Sequence, residues 1–165
     1  MSELQGENLS QYVYRRVHPG QWSKKKNRAS ERLFVEEEGN ELSVFRADLI
    51  TPRGVLQHGI DDAKVKSVSL AEEERAIGQR LLDSYGQTVD EWLQSGWRVV
   101  RLPFSAFESR NYWFDGPEPD GHMNAYGDHK LYAFELRDIA REVPEAELDA
   151  SQAGSCLTEP EPSRP

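Results

Sequence analysis

Two capping boxes near the middle of the chain constrain its fold more than any other feature. In Ser69-x-x-Glu72 and again in Thr88-x-x-Glu91, a hydroxyl can accept from the amide three residues on, while the glutamate reaches back to the cap's own amide. The first predicts a helix to about Tyr85, with Ala76, Ile77, Leu81 and Tyr85 on its buried face and Gly86 as its stop. The second predicts a short helix carrying Val89, Trp92 and Leu93, closed by Gly96. A helical pair is thus expected between two groups of strand-like runs.

Before the pair, Tyr12-Val13-Tyr14-Arg15-Arg16-Val17 is aromatic and β-branched, ends at His18-Pro19-Gly20, and predicts a strand. Leu33-Phe34-Val35 predicts a second strand over 31–36. A turn at Glu38-Gly39-Asn40 then brings back 41–46 as its hairpin partner. Residues 47–59 read as a short helix or irregular crossover broken at Thr51-Pro52-Arg53-Gly54, and 63–70 as a further strand on Val65, Val68 and Leu70. After the pair, 97–102 predicts a strand ended by Pro103, and 104–107 an extended or turning segment. A long loop is expected over 111–129, an alternating strand over 130–136, and a helical turn over 138–143 stopped by Pro144. Strands, then helices, then strands indicate an α+β fold: a mostly antiparallel sheet with two short helices packed on one face.

The length of 165 residues suits one domain, and six Phe, six Tyr and four Trp supply its core. We expect a flexible N-terminus over 1–10, a single α+β domain over 11–148, and a disordered acidic, Pro-rich tail over 149–165 that includes Cys156. One cysteine allows neither an internal disulfide nor a cysteine zinc cluster. No apolar run approaches the ~18 residues of a membrane span. The polar opening does not resemble a secretory leader, so a cytoplasmic protein is expected.

Charge is uneven. Residues 1–66 carry 11 basic and 10 acidic side chains, whereas 67–165 carry 9 and 19, for a net charge of −9. That balance disfavours direct nucleic-acid binding and any membrane association, and favours a protein partner with a basic surface.

Three places could carry chemistry. The 111–129 stretch gathers Asp115, Asp120, His122, Asp128 and His129 with four aromatics. Its spacing matches no metal-ligand pattern, and loops of this length are often contact surfaces. Tyr112, Trp113, Asp115, His122 and Tyr126 are the expected partner-binding residues, although Trp113 and Phe114 also read as core plugs. In the first strand Arg15 and Arg16 alternate, so one of them must face inward and needs an anionic partner. With Lys24, Lys25 and Arg28 in the following basic loop, Arg15 forms the candidate anion site, without any glycine-rich phosphate loop. No catalytic residue is assigned. Cys156 lies in the tail, and Ser43, Ser67, Ser69 and Ser105 stand in no nucleophile-elbow context. The carboxylate runs at 36–38 and 72–74 read as solvated faces. Neither a metal nor a cofactor is expected.

The opening YRRVHPGQW at 14–22, with Glu41-Leu42-Ser43-Val44 and Ser67-Val68-Ser69-Leu70, resembles small bacterial proteins that begin with an arginine-rich strand ending in His-Pro. The likeness covers the first half of the chain and implies a bacterial origin, with no activity attached. A second resemblance is to ADP-ribosyltransferase-like folds, including the RES-type toxins, on whose plan Arg15, Ser30 and Glu135 can be laid around a nicotinamide nucleotide. The glycine-arginine stretch of those folds is absent here. The sequence therefore points first to a non-enzymatic interaction subunit, adaptor or inhibitor of a bacterial multi-protein system. The alternative is a nucleotide-handling enzyme with Arg15 on phosphate.

Overall fold

The computed structural model describes residues 9–35, 41–69 and 88–149, with the main chain alone for 63–69. Six strands form one sheet: β1 (Tyr12–Val17), β4 (Glu41–Arg46), β5 (Arg98–Pro103), β6 (Trp113–Asp115), β7 (His122–Tyr126) and β8 (Arg141–Glu142). Their order is β6-β7-β4-β1-β5-β8, and neighbouring strands pair antiparallel. The α+β architecture expected from the sequence is the one observed. A separate ribbon pairs β2 (Trp22–Ser23) with β3 (Arg28–Ala29).

The alternation of each strand sends its side chains to two faces, and both faces are buried. Val13, Val17, Leu42, Val44, Val100, Leu102, Met123 and Ala125 share one core with residues of α3 (Phe104–Glu108), α4 (His129–Ile139) and a 3-10 turn over Glu31–Phe34. Tyr14, Phe45 and Val99 face the other way. They join Val55, Leu56 and Ile60 of α1 (Pro52–Ser69), with Val89 and Trp92 of α2 (Val89–Gln94). Helices thus lie on both faces of the sheet. Each large side chain buried in these cores contributes about 1.5–3 kcal/mol.

Several local expectations give way, each for a physical reason. Of the strand expected over 31–36, the described residues 31–35 form none: Ser30 Oγ accepts from Arg32 N at 3.1 Å and starts a 3-10 turn. β4 pairs with β1 and β7, and among the described residues no hairpin joins it to 31–35. The expected turn at 38–40 lies outside the described residues. Thr51-Pro52 opens a helix and does not break one. Thr51 Oγ1 accepts from Gly54 N at 3.0 Å, and Pro52 takes the first helical position, where its missing N–H costs nothing. That helix runs to Ser69, so 63–69 are helical where a strand was expected over 63–70, whose last residue lies outside the described residues. The helix expected after Ser69 falls at 70–87, outside the described residues. Residues 104–107 are helical, with Ala106 and Phe107 buried. The 130–136 stretch is helical because Asp128 Oδ1 accepts from Leu131 N at 3.1 Å, and the buried set His129, Ala133 and Leu136 has helical period. The turn expected over 138–143 is instead the end of α4 followed by β8.

The long loop contains a hairpin: Trp113↔Tyr126, Phe114↔Ala125 and Asp115↔Asn124 pair across it. Phe114 packs on the core, edge-on to Phe104 and Phe107. Trp113 is no core plug, since it is 60% exposed on the last strand of the sheet. Thr88 and Glu91 form the expected capping box at 3.2 and 2.7 Å, and Gly96 follows α2 with φ +104°, a conformation that favours glycine. Leu9, expected in a loose lead-in, is buried. At the other end Leu148 is buried, and its carbonyl accepts from Arg53 N at 2.8 Å. Among the described residues no helix is long and apolar enough to cross a membrane.

Candidate functional site

The β1–β4 register covers Val13↔Arg46 and Tyr14↔Phe45, whereas β1–β5 continues to Val17↔Arg98. Just past Tyr14 the Arg15 side chain bridges the space between β1 and β4. Its Nε and Nη2 donate to the Leu33 carbonyl at 2.9 and 2.7 Å, and Nη1 donates to the Ser43 carbonyl at 2.7 Å. Arg15 is 4% exposed, so it is the inward arginine the alternation required. A planar fork of fixed donors suits such a bridge, because it holds the 31–34 turn and β4 together at one point.

Arg16, one residue on, points to the opposite face and reaches α1. Its Nη1 donates to the Val55 carbonyl at 3.0 Å. Gly59 makes room for it: a Cβ there would stand 2.7 Å from Arg16 Nε. Beyond β1, His18 Nδ1 accepts from Gly20 N at 2.9 Å, and its ring meets Trp97 edge-on at 4.9 Å. Trp97 in turn stacks on the buried Trp92 at 3.8 Å. Arg16, His18 and Trp97 line a cavity of about 190 Å³ together with Arg15, Gln21, Ser43 and Phe45. Pockets for drug-sized ligands hold roughly 300–1,000 Å³. This one suits a small molecule or a single functional group.

Ser43 carries a second feature. Its Oγ lies 2.7 Å from His122 Nε2. The β4–β7 register creates the contact by pairing Phe45 with His122 and Ser43 with Asn124, so Ser43 and His122 are diagonal neighbours on one face. The His122 ring is held from several sides. His58 of α1 stacks on it at 5.8 Å, and Phe45 meets it edge-on at 5.3 Å. Glu118 Oε1 stands 3.8 Å from His122 Nδ1, and Asp120 Oδ1 accepts from the His122 amide at 3.0 Å. Asp120 also faces His58 Nε2 at 3.4 Å. Of the chain's four histidines, His18 lines the cavity, and His122 and His58 stand behind two of its wall residues, Ser43 and Phe45. Among the described residues no group of three His, Cys, Asp or Glu side chains is placed to hold a metal ion.

The sequence-predicted site residues separate into groups. Arg15 and His122 belong to this site. Lys24, Lys25 and Arg28 lie on the exposed ribbon and do not line the cavity; Arg28 pairs with Asp138 at 3.5 Å. Trp113 and Tyr126 stack at 4.2 Å on the outer part of the sheet, beside exposed Asp115. Tyr112 is buried on the opposite side, its hydroxyl 2.9 Å from His129 Nδ1, and burial pushes its pKa up to about 12. Ser30 caps the 31–34 turn, and Glu135 pairs with Arg110 at 2.9 Å; neither lines the cavity beside Arg15. Sequence reasoning singled out the first-strand stretch that holds Arg16 and ends at His18 but assigned only its Arg15, missed His58 and Trp97, and set Ser43 aside for want of a local motif. The Ser43–His122 pair spans 79 positions and leaves no local signal.

A second cavity, about 570 Å³, lies between α2 and β8. Its arginine, Arg98, is paired with Glu142 at 2.6 Å and covers the Trp22 ring at 4.2 Å. The smaller cavity is the one where arginines, histidine and a serine hydroxyl meet. No protein-family model, curated protein or solved structure matches the chain.

Proposed function

We propose that the chain binds a small anion, the phosphate or carboxylate group of a ligand, in the cavity lined by β1, β4, His18, Gln21 and Trp97. The observation that carries this reading is the convergence of Arg15, Arg16, His18 and Ser43 on one 190 Å³ space in an otherwise acidic chain. The bonds from Arg15 and Arg16 to the Leu33, Ser43 and Val55 carbonyls set the planes of both forks before any ligand arrives. Such preorganisation lowers the ordering cost of binding. The reading keeps the anion-handling part of the nucleotide alternative and gives the cavity the size of one such group.

The test is calorimetric titration of the purified chain with inorganic phosphate and with succinate, against chloride at equal ionic strength. Saturable binding of phosphate or succinate, abolished by Arg16→Met in a variant that still melts cooperatively, is the expected result. Absence of saturable binding by either anion refutes the proposal.

A second reading has the chain recognise another protein, one with a basic surface suited to the −9 charge. It is favoured by one observation: Trp113 is 60% exposed and stacked on Tyr126, a rigid aromatic pair of the kind that anchors interfaces.

A further inference from the structure

We propose that Ser43 is a nucleophile activated by His122, and that the site cleaves short carboxylic esters carrying an anionic group. The choice of an anionic substrate rests on the binding reading above; the nucleophile does not.

A serine hydroxyl is a poor nucleophile until a base within hydrogen-bond reach can take its proton. Ser43 Oγ and His122 Nε2 meet at 2.7 Å, inside that reach. A base must also be held in one orientation. His58 and Phe45 pack against the His122 ring, and Asp120 ties its main chain. Glu118 stands on the Nδ1 side at 3.8 Å, where a proton on Nδ1 faces a carboxylate and leaves Nε2 as the acceptor toward Ser43. Serine, histidine and carboxylate thus follow the order nucleophile, base, orienter that recurs on unrelated folds. The nucleophile sits on a strand and lines a cavity, so a substrate can reach it. Arg16 lines the same cavity, and a guanidinium there attracts the anionic group of the substrate.

The chemistry balances without a cofactor. Ser43 Oγ forms a bond to the ester carbonyl carbon as its proton passes to His122 Nε2. The tetrahedral adduct collapses, the carbon–oxygen bond to the alcohol breaks, and the His122 proton goes to the leaving alkoxide. Water then adds to the acyl-serine with His122 again taking the proton. Collapse of this second adduct returns the proton to Ser43 Oγ and releases the acid.

A fluorophosphonate reagent, which carries no anionic group, reads the nucleophile directly. Intact mass and peptide mapping are expected to show one adduct, on Ser43. Ser43→Ala gives none, Ser105→Ala labels like the unmodified chain, and His122→Gln labels about 100-fold more slowly or less. No adduct on Ser43, or labelling of His122→Gln at the unmodified rate, overturns the proposal, and circular dichroism confirms that each variant is folded. The mono-p-nitrophenyl ester of succinate compared with p-nitrophenyl acetate tests the substrate class. A higher kcat/KM for the succinate ester than for the acetate, with that ratio falling toward one in Arg16→Met, supports it. Ser43 labelling with no such preference refutes the anionic class and leaves the nucleophile standing. Anion binding without labelling refutes the nucleophile and leaves the binding reading standing.

Discussion

Replacing Arg15 with methionine tests whether this arginine holds the sheet together at the edge of the cavity. Methionine keeps an unbranched stem of similar reach and removes the fork. Two main-chain carbonyls lose their donor: Leu33 O, which accepts at 2.9 and 2.7 Å, and Ser43 O, which accepts at 2.7 Å. The side chain is 4% exposed, so bulk water does not replace it freely. Each buried carbonyl left unsatisfied costs about 1–3 kcal/mol, which puts the expected loss near 4 kcal/mol. With a urea m-value of ~2 kcal/mol/M, the unfolding midpoint falls by about 2 M. The assay is urea unfolding followed by far-UV circular dichroism and tryptophan fluorescence, with Arg15→Lys alongside. A lysine is a point charge that cannot serve both carbonyls in the fork's geometry, so it recovers only part of the loss. A loss below about 1 kcal/mol for Arg15→Met, the range of an ordinary substitution, refutes the structural role assigned to the fork.

Tyr14 is fully buried, and its hydroxyl has no hydrogen-bond partner among the described residues. Tyr14→Phe is therefore expected to leave stability unchanged or raise it by about 1 kcal/mol at neutral pH, and a loss of that size in thermal or urea melts contradicts the reading. Burial, partly offset by Arg101 and reinforced by Glu147, pushes the Tyr14 pKa up to about 12 from 10.0. The stability this contributes is complete below pH ~10 and is lost as pH rises toward the folded value, because the unfolded chain ionises first. Tyr14→Phe is expected to make the alkaline decline shallower over that window, and an unchanged pH profile goes against it. Trp113→Ser tests the partner surface: it should release a partner co-purified from the native host while Arg16→Met retains it, and retention by Trp113→Ser rules the surface out. Since Trp113 is 60% exposed, the melting point should move little.

Features governed by a few neighbouring residues were legible in the sequence. The alternating, β-branched runs became β1, β4 and β5, and the Thr88–Glu91 box capped α2. The clash between strand period and two adjacent arginines required one of them to be buried, and Arg15 is. Where the local signal was ambiguous, the caps decided. Ser30, Thr51 and Asp128 each satisfy an amide that starts a helical turn, and in each case the apolar pattern alone had suggested a strand or a break. Short apolar runs fit either period, so one hydrogen bond at the start of a segment can select between them.

The candidate site belongs to the other category. Ser43 and His122 meet because β4 pairs with β7 in one register, and a shift by one residue would turn one of them to the opposite face. Gly59 matters because Arg16 crosses it, a contact between α1 and β1 that no spacing announces. Spacing and composition determined that this chain builds an antiparallel sheet with helices and an inward arginine. Which polar side chains share a cavity was decided by strand register and helix docking, because residues far apart in sequence approach each other only after the apolar faces have packed.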